Sequence, residues 1–530
     1  MAFVRGWLLA LVAAPASLLI AGPALAADPA SGSGLELPRG IYRGQNGRYY
    51  EDVCDHSFRF HCLSKRLLPE TYRPLAGGGG NAGGYCDCGS MGGCGGGGSS
   101  PPSGSMAPAN VLGAYKVPPS SAAGGKIVAI VDMPDASALE DLNVYRKAFG
   151  IAPLPQCPGS GLPDPTTGTP CFAAVDESGK VTSSAGDCAS NDGETGLDEE
   201  MISAACPDCS ILLVQLTDAS MTNGPTDLDF VAAAKAAIRD GAVAVSLSFG
   251  GQEFSDPTGQ DYTTPGHLVV AASGDAGYLN QGLGGSTPSY PSSAPDVLAI
   301  GGTTLQLTGK AYSEVTWNDG SQGGAGGSGC STEFAMPAYQ TQFLSTHAGA
   351  FGSCTKRASV DVSAAAEFGA GNFGGAIAEY DTGDGWVAVV GTSAAAPLVA
   401  GLFTRLDLTD VVSANLGWVY DNLAAFNDVT SGSNDLGGSC TNILCKAGPG
   451  WDGPTGVGTP NGEALALRVV PPPSDAGSSG GDGGSGDCAL PGGKSGCGCA
   501  TGARGGLETG MLAVGGVVAA FALRRRRRAS

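Results

Sequence analysis

A doubly wound α/β sheet, mostly parallel and with helices on both faces, is the fold class this sequence predicts, and three observations predict it. Five short apolar runs, at 126–133, 211–216, 242–249, 267–272 and 297–300, are continuous rather than alternating, the pattern of strands buried on both faces. Helical patterns lie between them, notably 194–205 and 229–239, the latter closing at Asp240-Gly241. Strand and helix alternate along the chain, which calls for crossover connections and parallel pairing. In open sheets of this kind active-site groups collect beyond the carboxyl ends of the strands, so the residues that follow each apolar run are where chemistry is sought.

Around this core the 530 residues divide by composition. In 1–26, Arg5 precedes an apolar run, and Ala24-Leu25-Ala26 offers the small residues of a cleavage site, so the stretch reads as a secretory signal. A retained membrane helix is the alternative, against which the interruptions at Pro15 and Pro23 stand. Residues 27–105 form a short cysteine- and glycine-rich segment, with a reduced prosegment as one reading, and its glycine stretch cannot pack a core. The α/β domain spans 106–470. A Pro/Gly/Ser linker fills 471–500, and 501–530 ends in an apolar run at 511–523 followed by five arginines at 524–528. That run is shorter than the roughly 20 residues a helix needs to cross a bilayer.

Charge and residue inventory exclude several functions. The net charge is −21 even with the terminal arginines counted, and no basic stripe interleaved with aromatics occurs in the interior, so nucleic acid is not an expected partner. The 4 histidines, His56, His61, His267 and His347, form no HExxH or paired spacing, and none has the context of a base for a serine nucleophile. Any hydrolysis must therefore use other groups. The 17 cysteines read as disulfides in an oxidising compartment; for Cys206-Pro-Asp-Cys209 a disulfide is favoured over a metal knuckle, since no second CxxC accompanies it.

Three motifs carry chemistry. Gly391-Thr-Ser-Ala-Ala-Ala-Pro397 follows the apolar run 386–390 and opens an apolar helical stretch at 398–408. A serine at such a turn sits where backbone N–H groups face a developing oxyanion, which makes Ser393 the candidate nucleophile, with a capping serine as the bland alternative. Without histidine, its base must be a carboxylate. Glu194 and Asp198, four apart, share one helix face and are able to share a proton, although a solvated acidic face accounts for the same spacing. Asp275, in Ser273-Gly-Asp275 after the run 267–272, lies at the sheet's carboxyl edge, and if protonated it donates to the oxygen of a tetrahedral intermediate.

In this order the three motifs resemble the sedolisins, or serine-carboxyl peptidases, and the stretches 290–304, 327–340 and 358–364 are similar to that family as well, so the resemblance spans about 106–467. It implies a subtilisin-like fold and a secreted endopeptidase acting on protein or peptide substrates at acid pH. Glu194 is then the base, Asp198 its orienting partner, Ser393 the nucleophile and Asp275 an oxyanion donor. It further implies one structural Ca2+ ion, held by Asp428, Val429, Gly448, Gly450 and Asp452, a set of hard oxygen ligands with glycines that let carbonyls converge. The family's large folded prodomain has no counterpart of that size in 27–105. The tail, with Cys497-Gly-Cys499, an apolar run and the arginines, resembles the MYXO-CTERM sorting signal, which implies processing and cell-surface attachment; an ordinary C-terminal membrane anchor is the alternative. A monomer is expected. The rival readings are a catalytically silent surface protein that keeps the fold for binding, and a histidine-dependent subtilase, which lacks a suitable histidine.

Overall fold

The apolar runs become neighbouring strands of one eight-stranded sheet. In the computed structural model, which describes residues 41–44, 47–54, 60–68, 98–159, 161–182, 193–216, 226–254, 262–370 and 376–469, the strands lie in the order Ala311–Thr316, Leu298–Thr308, Leu268–Ala272, Ala242–Leu247, Ile127–Asp132, Ser210–Gln215, Phe172–Asp176. Val362–Ala370 also pairs with Leu298–Thr308. Every pairing is parallel except that of Ala311–Thr316, which returns antiparallel. The expected signal at 1–26, most of the glycine-rich stretch, the linker and the sorting tail lie outside the described residues.

The strand Ile127–Asp132 explains why its run does not alternate. Val128 and Ile130 enter one apolar core while Ile127, Ala129 and Val131 enter another, so both faces are covered. One core holds the helices Gly193–Ala205 and Thr392–Arg405; the other holds Asp227–Arg239. That last helix begins at Asp227 because Thr226 caps it, its N–H and hydroxyl both donating to Asp229 at 2.8 Å.

Gly193–Ala205 and Thr392–Arg405 touch closely. A Cβ placed on Gly401 would lie 2.9 Å from the Ala205 Cβ, so only glycine permits this approach. Just past Ala205, Cys206 and Cys209 form a disulfide across the turn into the strand Ser210–Gln215. Among the described residues there are also Cys54–Cys62, Cys157–Cys171, Cys330–Cys354 and Cys440–Cys445.

The described part of the N-terminal segment is woven into the domain. Ile41–Arg43, Tyr49–Asp52 and Lys65–Leu67 complete a five-stranded sheet with Gly385–Val390 and Ile377–Asp381, Lys65 standing opposite Val390 and Arg66 opposite Val389. The pair His61–Cys62 lies antiparallel on Phe249–Gln252. Among the described residues no helix is long and apolar enough to cross a membrane.

Candidate active site

Ser393 occupies the turn from strand to helix that its sequence context predicts. The strand Gly385–Val390 ends, Gly391 takes φ 155°, and the helix begins at Thr392 rather than near 398. Ser393 is thus the second helical residue, with its N–H among the donors that have no partner within the helix. Pro397 lies inside the helix and has no N–H to offer the Ser393 carbonyl; the Ser248 hydroxyl approaches that carbonyl at 3.4 Å instead. The Ser393 hydroxyl donates to the Ser248 carbonyl at 3.2 Å.

The acid pair is not on a solvated face. Every residue of Gly193–Ala205 is buried, Glu194, Asp198, Glu199 and Glu200 included, because the helix is enclosed by Thr392–Arg405, Ala138–Ala148 and the strand Ile377–Asp381. Asp198 accepts the Ser248 hydroxyl at 2.7 Å. Burial pushes the Asp198 carboxyl well above the usual range, against that hydrogen bond. It does the same to Glu199, beside Asp135 and Asp141, and to Glu200, beside Glu379. Glu194 accepts the Ser64 hydroxyl at 2.5 Å.

Asp275 follows the strand Leu268–Ala272, and one of its oxygens accepts both the N–H and the hydroxyl of Thr392, each at 2.9 Å. Burial raises its carboxyl to about 7 in spite of these bonds, so in mild acid it carries a proton. The second oxygen, Oδ2, faces Gly391: a Cβ on that glycine would lie 2.9 Å from it and 2.3 Å from the Leu63 carbonyl oxygen. The Leu63 oxygen accepts the Ser393 N–H at 3.2 Å. The four sequence-predicted residues therefore converge on one place, linked through Ser248, Ser64, Leu63 and Thr392.

Two contributors escaped sequence reasoning. Ser248 stands at the carboxyl end of an apolar run that also holds Ser246, and its position there, where the strand-end rule points, was the available signal. The segment 60–67 carried none, since its pairing partners lie far along the chain.

The residues expected to hold calcium also come together. Asp428 accepts the Gly450 N–H at 2.9 Å, and Asp452 accepts the Gly448 N–H at 3.0 Å and the Thr455 N–H at 2.9 Å. The Thr455 hydroxyl lies 3.4 Å from the Val429 carbonyl. Asp452 is fully buried, and its carboxyl is pushed up to about 7 by burial, with the neighbouring Asp428 adding to the rise. Among the described residues no group of three or more His, Cys, Asp or Glu side chains is placed to hold a metal. An ion here would take two carboxylates and backbone carbonyls.

A model of the subtilase family matches residues 175–407 of this chain, a stretch that includes Glu194, Asp198, Asp275 and Ser393. The chain is 29% identical over 392 residues to kumamolisin of Bacillus sp. (strain MN-32), which covers 70% of this chain and 65% of that protein. It is 35% identical over 214 residues to sedolisin of Pseudomonas sp. (strain 101), covering 37% of this chain and 33% of that one. The matched stretches thus span less than two thirds of these relatives' own lengths. Among solved structures, Pseudomonas sedolisin, a serine-carboxyl proteinase complexed with two molecules of pseudo-iodotyrostatin, is similar with a TM-score of 0.52 at 24% identity, covering 70% of this chain and 99% of that one. The fold is subtilisin-like, with a mostly parallel sheet between helices, and the chain's relatives are serine-type peptidases.

Proposed function

We propose that this chain is a sedolisin-like serine-carboxyl peptidase, which hydrolyses peptide bonds in acid. The observation that carries the reading is the Leu63 peptide: its carbonyl accepts the Ser393 N–H at 3.2 Å, and its own N–H donates to the Ser248 carbonyl at 3.1 Å. A site that grips a residue by both its N–H and its carbonyl is one suited to receive polypeptide substrate.

Chemistry then follows from the surrounding groups. Glu194 takes the proton of the Ser393 hydroxyl as its oxygen adds to the substrate carbonyl. Asp198, deprived of water and inclined to keep a proton, holds Glu194 in place, and Ser248 fixes Asp198 through the 2.7 Å hydrogen bond. The tetrahedral oxygen is met by the Ser393 N–H and by protonated Asp275, whose other oxygen is anchored on Thr392. Glu194 returns its proton to the leaving amine, and water repeats the cycle on the ester. Because Asp275 donates only while protonated, the reaction belongs to acid solution.

The loop at 428–455 fits one structural calcium ion. Two hard carboxylates, Asp428 and Asp452, are drawn toward the same glycine turn, and Asp452 is buried beside a like charge, an arrangement a divalent cation relieves. Asp428 and Asp452, with the carbonyls of Val429, Gly448 and Gly450, would hold it; the ion would brace this loop and take no part in the reaction. Secretion, with surface attachment through the tail, is part of the same proposal, and the disulfides accord with an oxidising compartment.

The test is digestion of acid-denatured casein by the purified protein and by Ser393→Ala. Cleavage by the parent and none by the variant is expected; equal cleavage by both would remove Ser393 from the reaction.

A further inference from the structure

A second pair of acids, apart from Glu194 and Asp198, takes no part in the steps above. Glu367 stands on the strand Val362–Ala370, and Asp319 just precedes the short helical turn Gly320–Gly323. Both carboxyls are withdrawn from water, and they hydrogen-bond to one another. That bond lowers the Asp319 carboxyl and raises that of Glu367, so Glu367 donates and Asp319 accepts. Glu367 also accepts the Thr304 hydroxyl at 2.7 Å, and Asp319 accepts the Tyr50 hydroxyl at 3.1 Å and the Trp317 indole N–H at 3.4 Å.

Each acid steadies one wall of the corner that holds Asp275. Asp319 fixes Trp317, which is wholly buried in a small cluster with Ala366 and Val390. A Cβ on Gly324 would stand 2.8 Å from the Trp317 ring and 3.4 Å from the Asp275 carbonyl oxygen. One on Gly302 would stand 3.2 Å from the same ring and 3.1 Å from Thr392 Cγ2. The indole therefore closes against the Asp275 backbone and against Thr392, whose N–H and hydroxyl hold the Asp275 carboxyl.

Glu367 fixes the other wall through a bulge. Ala365 stands opposite Thr303 and Glu367 opposite Thr304, so Ala366 is the extra residue between them. Its carbonyl accepts the Gly391 N–H at 2.9 Å, and the Cβ that Gly391 lacks would lie 2.9 Å from Asp275 Oδ2. The bond from the Thr304 hydroxyl to Glu367 pins the register immediately after this bulge.

We propose that Asp319 and Glu367 are positioning residues for Asp275, one holding Trp317 and the other the bulge at Ala366, so that the oxyanion donor stays in place and dry. The proposal rests on the peptidase reading above and deepens it at Asp275. The carboxyl of Asp275 keeps its proton to about 7 because it is buried. A wall that loosens admits water, and the proton is then lost at lower pH. Other charges stand as follows. Arg48 is the cation beside the pair, and Lys65 and Asp52 act on Asp275 with opposite signs. Glu314 is bound to Thr303, on the opposite face of the strand from Thr304. Glu379 and Asp381 act on Arg66.

The experiment is the rate on fluorescein-labelled casein from pH 3 to pH 8, with kcat and KM separated, for the parent, Glu367→Ala, Glu367→Gln and Trp317→Phe. Glu367→Ala should lower kcat by about tenfold with KM within about twofold, and move the alkaline limb toward acid by about half a pH unit or more. Glu367→Gln, whose amide donates to Asp319 and whose oxygen accepts from Thr304, should return both kcat and the limb to near the parent's. Trp317→Phe keeps an aromatic ring but lacks the N–H to Asp319, so it should move the limb in the same direction by less; this variant carries the test if Glu367→Ala does not fold. A parent that digests casein while the limb stays unmoved in Trp317→Phe and in any folded Glu367→Ala overturns the positioning role and leaves the peptidase reading standing. Glu367→Gln as displaced as Glu367→Ala overturns it too. A parent inert toward casein overturns the peptidase reading and this role with it.

Discussion

The hydroxyl of Ser248 donates to the buried Asp198 carboxyl at 2.7 Å, while the backbone carbonyl of the same Ser248 receives the Ser393 hydroxyl at 3.2 Å. One residue at the end of a central strand thus touches both the acid pair and the candidate nucleophile. Replacing it by alanine leaves a buried carboxyl oxygen without its donor, which costs about 1–3 kcal/mol. Ser248→Ala is expected to lower kcat/KM by about tenfold and the melting temperature modestly, with Ser248→Thr restoring much of both. Unchanged kinetics in Ser248→Ala would remove Ser248 from the positioning of Asp198.

The carboxyl of Asp275 gives the rate a pH dependence of known sign. Its folded value is raised to about 7 by burial, so the donor is present in acid and lost as pH rises through that value. Activity on peptide substrates is expected to be highest on the acid side, roughly pH 3 to 5, and to fall away toward pH 7 as Asp275 loses its proton. Asp275→Ala, lacking one of two oxyanion donors, should lose about 10²–10³ in kcat. A profile that climbs through pH 7, as one with a histidine base does, would overturn the carboxylate mechanism.

Stability should also fall as pH rises. The raised carboxyls of Asp141 (about 6), Asp275 (about 7) and Glu367 (about 8) each bind a proton more tightly folded than unfolded, where a carboxyl titrates near about 4. The stabilisation is complete below the unfolded value and is lost as pH passes through the folded ones. Thermal melts of Ser393→Ala, which prevents self-digestion, should therefore show a midpoint decreasing from pH 4 to pH 8. A midpoint that increases over that window would contradict the burial of these groups.

Chelation should lower the melting midpoint without altering the chemistry at Ser393. An ion that binds only the folded chain adds about 2.7 kcal/mol when present at a hundred times its dissociation constant. EDTA is expected to reduce the midpoint of the parent, calcium to restore it, and Asp452→Asn to abolish the response. A parent whose midpoint ignores EDTA holds no such ion.

Much of the domain was legible because double-sided burial leaves a plain mark: the runs at 126–133 and 267–272 became Ile127–Asp132 and Leu268–Ala272 almost without adjustment. The meeting of Ser393, Asp275 and the buried acid helix was legible because Ser393 and Asp275 stand at strand ends, where the fold gathers polar groups. What misled was context that only the folded chain supplies. A solvated acidic face was the alternative for Glu194 and Asp198, yet the packing of three elements around their helix buries it, Glu199 and Glu200 included. The helical stretch expected at 398–408 starts instead at Thr392, and the helix tolerates Pro397 within it because the missing N–H falls at Ser393, whose carbonyl Ser248 approaches instead. The pairing of Lys65 with Val390 joins residues so distant in sequence that no local pattern records it.

Gly401 acts as the gauge between the two helices that bear Ser393 and the acid pair, since a Cβ there would stand 2.9 Å from that of Ala205. Ser393 lies eight residues, about 12 Å, from that contact, and Glu194 lies eleven residues, about 16 Å, from Ala205. A methyl group inserted at 401 would wedge the far ends apart and tilt one rod against the other, so the hydroxyl and the acids would change separation although neither had been touched. The spacing between Ser393 and the acids is thus set from a remote position, by the thickness of a single missing side chain.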